Sequence, residues 1–161
     1  MSGPKQSAGV LLWRSVEGAV EVLLVHPGGP YFARKDAGAW SIPKGELDGD
    51  GPWSDAEREA CARRELEEET GLTVDGPLVS LGSVRLKSRK IVHAFAAEGG
   101  IPPDFEPRSN RFVIEWPPRS GRRAEFPEVD RAEMFDLDAA RDKLNPAQVA
   151  FLDRLVAHLA G

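Results

Sequence analysis

The sequence predicts an α/β fold in which helices pack against a mixed β-sheet. Short apolar runs typical of strands occur on both sides of a central helical segment, and a second helical segment with an apolar stripe follows them. Of the 161 residues, 41% are hydrophobic and 29% are charged, as in ordinary globular proteins. No internal repeat or interdomain linker is evident, so residues 1–161 are interpreted as one domain.

The amino-terminal part is predicted to begin with a β-hairpin. Apolar runs at 8–14 and 20–26 flank a Glu17-Gly18 turn, which is the pattern of two antiparallel strands. A loop rich in Gly and Pro follows, and residues 40–42 are predicted to form a short strand. Residues 45–53 contain several Gly and Pro residues and are predicted to form a loop.

The next segment, 56–70, is predicted to be a helix. It consists almost entirely of Ala, Glu, Arg and Leu, which are strong helix formers. Ser54 or Asp55 is a suitable N-cap, and Gly71 lies where a helix-terminating glycine is expected.

Strands and helices are predicted to alternate again in the rest of the chain. Four more apolar or alternating segments resemble strands, two segments resemble helices, and Pro146 lies near the first turn of the last helix. The predicted strands are 78–87, 90–97, 111–116 and 133–136, and the predicted helices are 138–143 and 149–159.

Charge and cysteine content narrow the class of function. The net charge is -5 and there is no long basic stripe, which makes duplex nucleic acid an unfavourable main partner. The single cysteine, Cys61, rules out an intramolecular disulfide. No segment resembles a signal peptide or a membrane span, so we expect a cytoplasmic protein that does not enter a membrane.

The central helix carries an unusual concentration of carboxylates. At about 100° per residue, Glu65, Glu68 and Glu69 share an arc of roughly 100°, whereas Glu67 points away from Glu65. Like charges on one helix face repel, and carboxylate oxygens are ligands that Mg²⁺ prefers. The pattern therefore indicates a divalent-cation site, although exposed glutamate runs are common and a merely solvated face is the alternative.

The residues around this helix resemble the Nudix box. In that family's pattern a glycine is followed by a glutamate and then by Arg-Glu, an aliphatic residue, any residue, Glu-Glu, any residue, glycine and an aliphatic residue. The segment 64–72 matches all seven positions that the second half specifies, and Gly45 resembles the initial glycine. The resemblance implies a Nudix-type α/β/α sandwich with a mixed central sheet.

The first half of the box departs from the pattern. Eighteen residues separate Gly45 from Arg64, where the family pattern has thirteen, and Ala56 occupies the position of the first glutamate. In the family this glutamate forms an ion pair that orients the arginine. Either Glu46 or Glu57 is a candidate to replace it, and the sequence does not choose between them.

The resemblance also implies roles for individual residues. Glu65, Glu68, Glu69 and the carbonyl of Gly45 would bind Mg²⁺, or alternatively Mn²⁺, and Arg64 would hold the glutamates in place. A general base in this family often lies outside the box. The two candidates here are Glu125 and Glu128, which are predicted to lie in a loop.

The implied reaction is hydrolysis of a diphosphate linkage in a nucleoside diphosphate joined to another group. A Pro-Lys-Gly segment at the box entrance is similar to that of Nudix enzymes acting on dinucleoside polyphosphates, so Lys44 and Lys90 are candidate phosphate contacts and Trp40 a candidate base-stacking residue. Nucleoside triphosphates are the next candidate substrates, followed by RNA 5′ ends and nucleotide sugars. The alternative is a catalytically silent nucleotide-binding regulatory domain, and the oligomeric state stays open.

Overall fold

A computed structural model describes residues 3–161, and its strands and helices follow the order expected of a mixed α/β protein. The strands are Gln6–Val16 (β1), Ala19–Pro27 (β2), Lys44–Glu46 (β3), Val79–Arg85 (β4), Ile91–Glu98 (β5), Arg111–Glu115 (β6), Arg123–Pro127 (β7) and Val129–Asp136 (β8). The α-helices are Asp55–Thr70 (α1), Leu137–Lys143 (α2) and Val149–Ala160 (α3), and Pro146–Gln148 forms a 3₁₀ turn before α3.

The main sheet is mixed, as predicted. Its strand order is β4-β5-β1-β2-β8, with β3 paired to the first part of β1. Strands β1 and β5 run parallel, whereas the other pairs are antiparallel. The predicted β1–β2 hairpin turns through Glu17 and Gly18, both at positive φ (51° and 84°), which suits the twist of a two-residue hairpin loop.

Apolar residues of β1 serve two separate cores because successive side chains of a strand point to opposite faces. Val10 and Leu12 pack in the cluster that contains Leu66 of α1. Leu11 packs in the cluster that contains Phe151 and Leu155 of α3. Helices therefore cover both faces of the sheet, and the predicted α/β/α sandwich is confirmed.

Helix α1 begins and ends where its local sequence directs. Ser54 is the N-cap: its hydroxyl accepts a hydrogen bond from the Glu57 N–H (3.1 Å), and the Glu57 carboxylate accepts one from the Ser54 N–H (3.2 Å). Gly71 terminates the helix at φ 84°, a conformation that a side chain disfavours. Within residues 3–161, no helix combines the length and the apolar character needed to span a bilayer.

The path of the chain before α1 differs from the prediction. Residues 40–42 form only isolated bridges, from Ser41 to Val25 and from Trp40 to Leu144, and the strand lies after Pro43 instead. The predicted loop at 45–53 is wrong at its start, because its first residues pair with β1 in register Ala8↔Gly45. This pairing is a tertiary contact that local turn propensity does not report.

The second half also contains a strand that the sequence pattern does not reveal. Residues 123–127 form β7, which pairs with β6 in a separate two-stranded ribbon, so the predicted loop around Glu125 is wrong. Strand β8 starts at Val129 rather than at residue 133, because its first residues pair with the end of β2 in the described structure. Charged residues interrupt both segments, which weakens their apolar signal.

Candidate active site

Helix α1 presents its acidic residues to two different environments. Glu65, Glu68 and Glu69 are partly buried, whereas Glu67 is exposed and Leu66 is fully buried in the core under the helix. The packing of Leu66 thus sets the rotation of α1, and the three glutamates follow from the helical period.

Strand β3 lies directly against the acidic face. The backbone N–H of Lys44 donates a hydrogen bond to Oε2 of Glu69 at 3.2 Å. At the next residue, Gly45, a Cβ atom would overlap the carboxylate of Glu65, so only glycine allows this approach of backbone to carboxylate. The Gly45 carbonyl oxygen faces α1, 3.6 Å from the Sγ atom of Cys61.

Burial and nearby negative charges disfavour the ionised forms of Glu65 and Glu69. Burial raises the pKa of Glu69 to about 8, and the charges of Glu65 and Glu128 add to the rise, although the N–H and charge of Lys44 oppose it. Burial also raises the pKa of Glu65, with further increases from Glu68 and Glu128 and an opposing effect of Arg64. The positive charges of Lys44 and Arg64 thus offset only part of the cost of keeping Glu69 and Glu65 ionised.

Arg64 lies beside the cluster and contacts three carboxylates. Its Nη2 is 3.7 Å from Glu65 and its Nε is 3.8 Å from Glu68. Its Nη1 lies 3.3 Å from Asp48, a residue of the extended loop that our sequence interpretation missed. Nothing in the local pattern distinguishes Asp48 from Asp50, so only the path of the loop identifies it.

The two residues considered as replacements for the first box glutamate have other partners. Glu57 is engaged in the N-terminal cap of α1. Glu46 lies 3.5 Å from Nζ of Lys90 and 3.9 Å from Nζ of Lys5. Neither forms an ion pair with Arg64 in residues 3–161. The expectation that one of them replaces the first box glutamate is therefore wrong.

The structure separates the two candidates for the general base. Glu128 lies close enough to Glu65 and Glu69 to raise the pKa of both. Glu125 lies on β7 and forms an ion pair with Arg111 on the neighbouring strand, with its side chain half exposed. Glu125 is therefore paired with Arg111, and Glu128 is the candidate base whose charge acts on the glutamates of α1.

A cavity of about 240 Å³ opens beside the acidic residues. Its lining includes Lys44, Glu69 and Glu128 as well as the apolar Phe32 and Leu86. Burial lowers the pKa of Lys44, and the nearby charge of Lys90 lowers it further, whereas Glu69 raises it. The cavity thus combines charged and apolar side chains.

Trp40 does not offer a stacking platform. Its side chain is 1% exposed and packs edge-on against His26 and Phe135, with ring centroids at 5.2 and 4.9 Å. Its indole N–H donates to Asp36 (2.7 Å), which satisfies the one polar atom of the ring. The proposed base-stacking role of Trp40 is wrong in this conformation because neither ring face is available.

The side chains at α1 fit a hard divalent cation by their chemistry. They supply carboxylate oxygens, which hard cations prefer, and the backbone carbonyl of Gly45 lies near the helix. The close approach of β3 at Gly45 leaves no room for a side chain there. In the region 3–161, however, no three His, Cys, Asp or Glu side chains are already gathered as a ligand group. A cation would draw in carboxylates that repel one another in its absence.

Comparison with known proteins finds solved structures of similar fold. The chain is similar to a C. elegans Ap4A hydrolase in a binary complex, with 21% identity, a TM-score of 0.66 and coverage of 96% of this chain and 98% of that one. It is similar to the NUDIX domain of Shewanella oneidensis NrtR complexed with ADP ribose, with 14% identity, a TM-score of 0.66 and coverage of 99% and 90%. It is also similar to a MutT protein from Methanosarcina mazei Go1, with 20% identity, a TM-score of 0.60 and coverage of 100% and 99%.

At these identities the solved structures show a common fold. A search of curated protein sequences finds no significant match. The NUDIX domain family model matches residues 3–155, which is nearly the whole chain and includes the box helix, β3 and Glu128. The chain belongs to the NUDIX domain family.

Proposed function

We propose that this protein is a metal-dependent hydrolase that cleaves a diphosphate linkage in a nucleoside diphosphate joined to another group. The observation that supports it most directly is the convergence of Glu65, Glu69 and Glu128 beside Lys44, with the pKa values of Glu65 and Glu69 raised. Perturbed carboxylates in a cleft are typical of functional sites.

Each residue at the site has a distinct task in this proposal. Glu65, Glu68, Glu69 and the Gly45 carbonyl hold Mg²⁺ or Mn²⁺, which when bound neutralises phosphate charge and lowers the pKa of a coordinated water. Arg64 orients Glu65 and Glu68.

The protein's own residues position the substrate and move the proton. Lys44 and Lys90 contact phosphate oxygens, and the cavity lined by Phe32 and Leu86 receives an apolar group such as a nucleobase. The water oxygen bonds to a phosphorus while the bridging P–O bond breaks. Glu128 accepts the proton that the water loses, and the leaving phosphate takes the bond's electron pair.

Dinucleoside polyphosphates are the preferred substrate class. Lys90 lies close enough to Lys44 for its charge to lower the pKa of Lys44. Two neighbouring ammonium groups suit a chain of more than two phosphates. Nucleoside triphosphates share part of this chemistry and come next, and RNA 5′ ends and nucleotide sugars follow. The similarity in fold to an Ap4A hydrolase is consistent with this order.

The test is hydrolysis of a nucleotide panel by the purified protein with Mg²⁺, Mn²⁺ or EDTA. The variants are Glu69→Gln and Glu68→Gln, and the matched control is Glu67→Gln, which makes the same change on the exposed side of the same helix. We expect wild type and Glu67→Gln to turn over at similar rates and the other two to lose more than about thirtyfold, which corresponds to about 2 kcal/mol in the barrier.

The competing class is a nucleotide-binding regulatory domain without catalysis. The similar NUDIX domain of NrtR is in complex with ADP ribose, so this fold accommodates nucleotide ligands. Nucleotide binding by calorimetry without turnover of any compound in the panel would favour this class. Equal turnover by wild type and Glu69→Gln would contradict the assigned metal site.

A further inference from the structure

The ion pair between Asp48 and Arg64 spans the extended loop and the metal helix. We infer that Asp48 is a positioning residue that takes the place of the absent first box glutamate and orients Arg64 towards the proposed metal ligands. The inference rests on the proposed metal-binding role of Glu65 and Glu68. Each nitrogen of the guanidinium faces a different carboxylate: Nη1 faces Asp48 at 3.3 Å, Nη2 faces Glu65 at 3.7 Å and Nε faces Glu68 at 3.8 Å.

The loop holds Asp48 in place from both sides. Leu47 is 8% exposed in the core under α1, and its N–H donates to the carbonyl of Gln6 at 2.9 Å. The carbonyl of Asp48 itself accepts a hydrogen bond from the indole N–H of Trp53 at 2.7 Å, and the Trp53 ring packs on the same core. The backbone of Asp48 is thus anchored even though its carboxylate reaches into solvent.

The longer loop is what brings the Asp48 carboxylate to Arg64. Ala56 has no carboxylate, and the side chain of Glu57 caps the helix. The additional loop residues let the chain fold back across α1, so that a carboxylate from outside the helix meets Arg64. An arginine held at one nitrogen keeps fewer orientations for the other two, which favours the paired geometry of the glutamates.

The expected effect is modest because the pair is accessible to water. The side chains of Asp48 and Arg64 are 87% and 44% exposed. Exposed ion pairs are weak and are screened by salt. Loss of Asp48 should therefore weaken divalent-cation binding by a factor of about three to five at low salt, and by less in high salt.

The test measures binding of Mn²⁺ to the full chain without nucleotide, and the electron paramagnetic resonance signal of the free ion reports how much Mn²⁺ stays unbound. Asp48→Asn should weaken binding by the stated factor, Asp48→Glu should restore it, and the metal-free melting temperature should barely change. The matched control is Asp50→Asn, an exposed aspartate of the same loop for which the described residues show no ion pair. Equal Mn²⁺ affinities of wild type and Asp48→Asn would overturn the inference.

A double-mutant cycle separates positioning from the simple attraction of Asp48 for the cation. If Asp48 acts through Arg64, Asp48→Asn should have no further effect in an Arg64→Gln background. The same loss of affinity in both backgrounds would show direct attraction and overturn the inference. Failure of wild type to bind Mn²⁺ would overturn the proposed function as well, whereas normal binding by every variant would overturn this inference alone.

Discussion

The backbone N–H of Lys44 donates to the carboxylate of Glu69, which ties strand β3 to the last turn of helix α1. The bond is formed by the main chain, so it survives substitution of the Lys44 side chain. It stabilises the charged form of Glu69, which burial opposes more strongly. The balance between these two effects makes Glu69 sensitive to pH and to cations.

Stability of the metal-free protein should depend on pH through Glu69. Its pKa is raised from 4.5 to about 8, so the folded state holds a proton that the unfolded state releases over this range. This contribution to stability is fully present below about pH 4.5 and is lost as the pH rises through 8. We expect melting temperatures to fall over this window in wild type and to fall less in Glu69→Gln.

Added Mg²⁺ should reverse this trend. A cation binds the deprotonated carboxylate, so binding releases the proton of Glu69 and becomes stronger as the pH rises. The increase in melting temperature caused by Mg²⁺ should be larger at pH 8 than at pH 6. A Mg²⁺-induced increase that is larger at pH 6 would contradict the assignment of Glu69 as a ligand.

Substitution Gly45→Ala should damage the site directly. The added Cβ would overlap the carboxylate of Glu65, so either β3 or Glu65 must move. We expect a loss of more than tenfold in kcat/KM together with weaker Mn²⁺ binding. Gly76→Ala is the matched control, because no atom lies within 4 Å of a Cβ at that position, and its activity should equal that of wild type.

Glu128→Gln should lower kcat without abolishing nucleotide binding. Removing a general base typically costs about 10²-fold to 10⁴-fold in rate. The acidic limb of the pH–rate profile, which reports protonation of the base, should change at the same time. Glu125→Gln is the matched control on the neighbouring strand, and a comparable loss in that variant would show that Glu128 has no special role.

Trp40→Phe should affect stability rather than substrate affinity. The change removes the hydrogen bond to Asp36 and leaves space in a fully packed core, so we expect a melting temperature several degrees lower. KM should stay within about twofold of wild type, since the ring is not accessible to a base. A large rise in KM at unchanged stability would restore the stacking role.

Much of the box helix could be predicted from the sequence because its determinants are local. Ser54 and Gly71 mark its two ends, and the helical period alone places Glu67 on the side opposite Glu65. The same holds for the β1–β2 hairpin, whose turn residues lie between two apolar runs. Strands β3 and β7 were not predicted, since both are short, and their pairing rather than their composition makes them strands.

The order of residues along α1 is enough to predict which carboxylates share a helix face and, through the resemblance of that segment to the Nudix box, the family of the chain. Three other features depend on the folded chain: Asp48 meets Arg64, Glu128 lies near the glutamates of α1, and Trp40 is buried. The two sets differ in the distance along the chain over which their causes act. The period of a helix relates residues within a few turns, whereas loop paths and strand pairing bring together residues that are far apart in the chain.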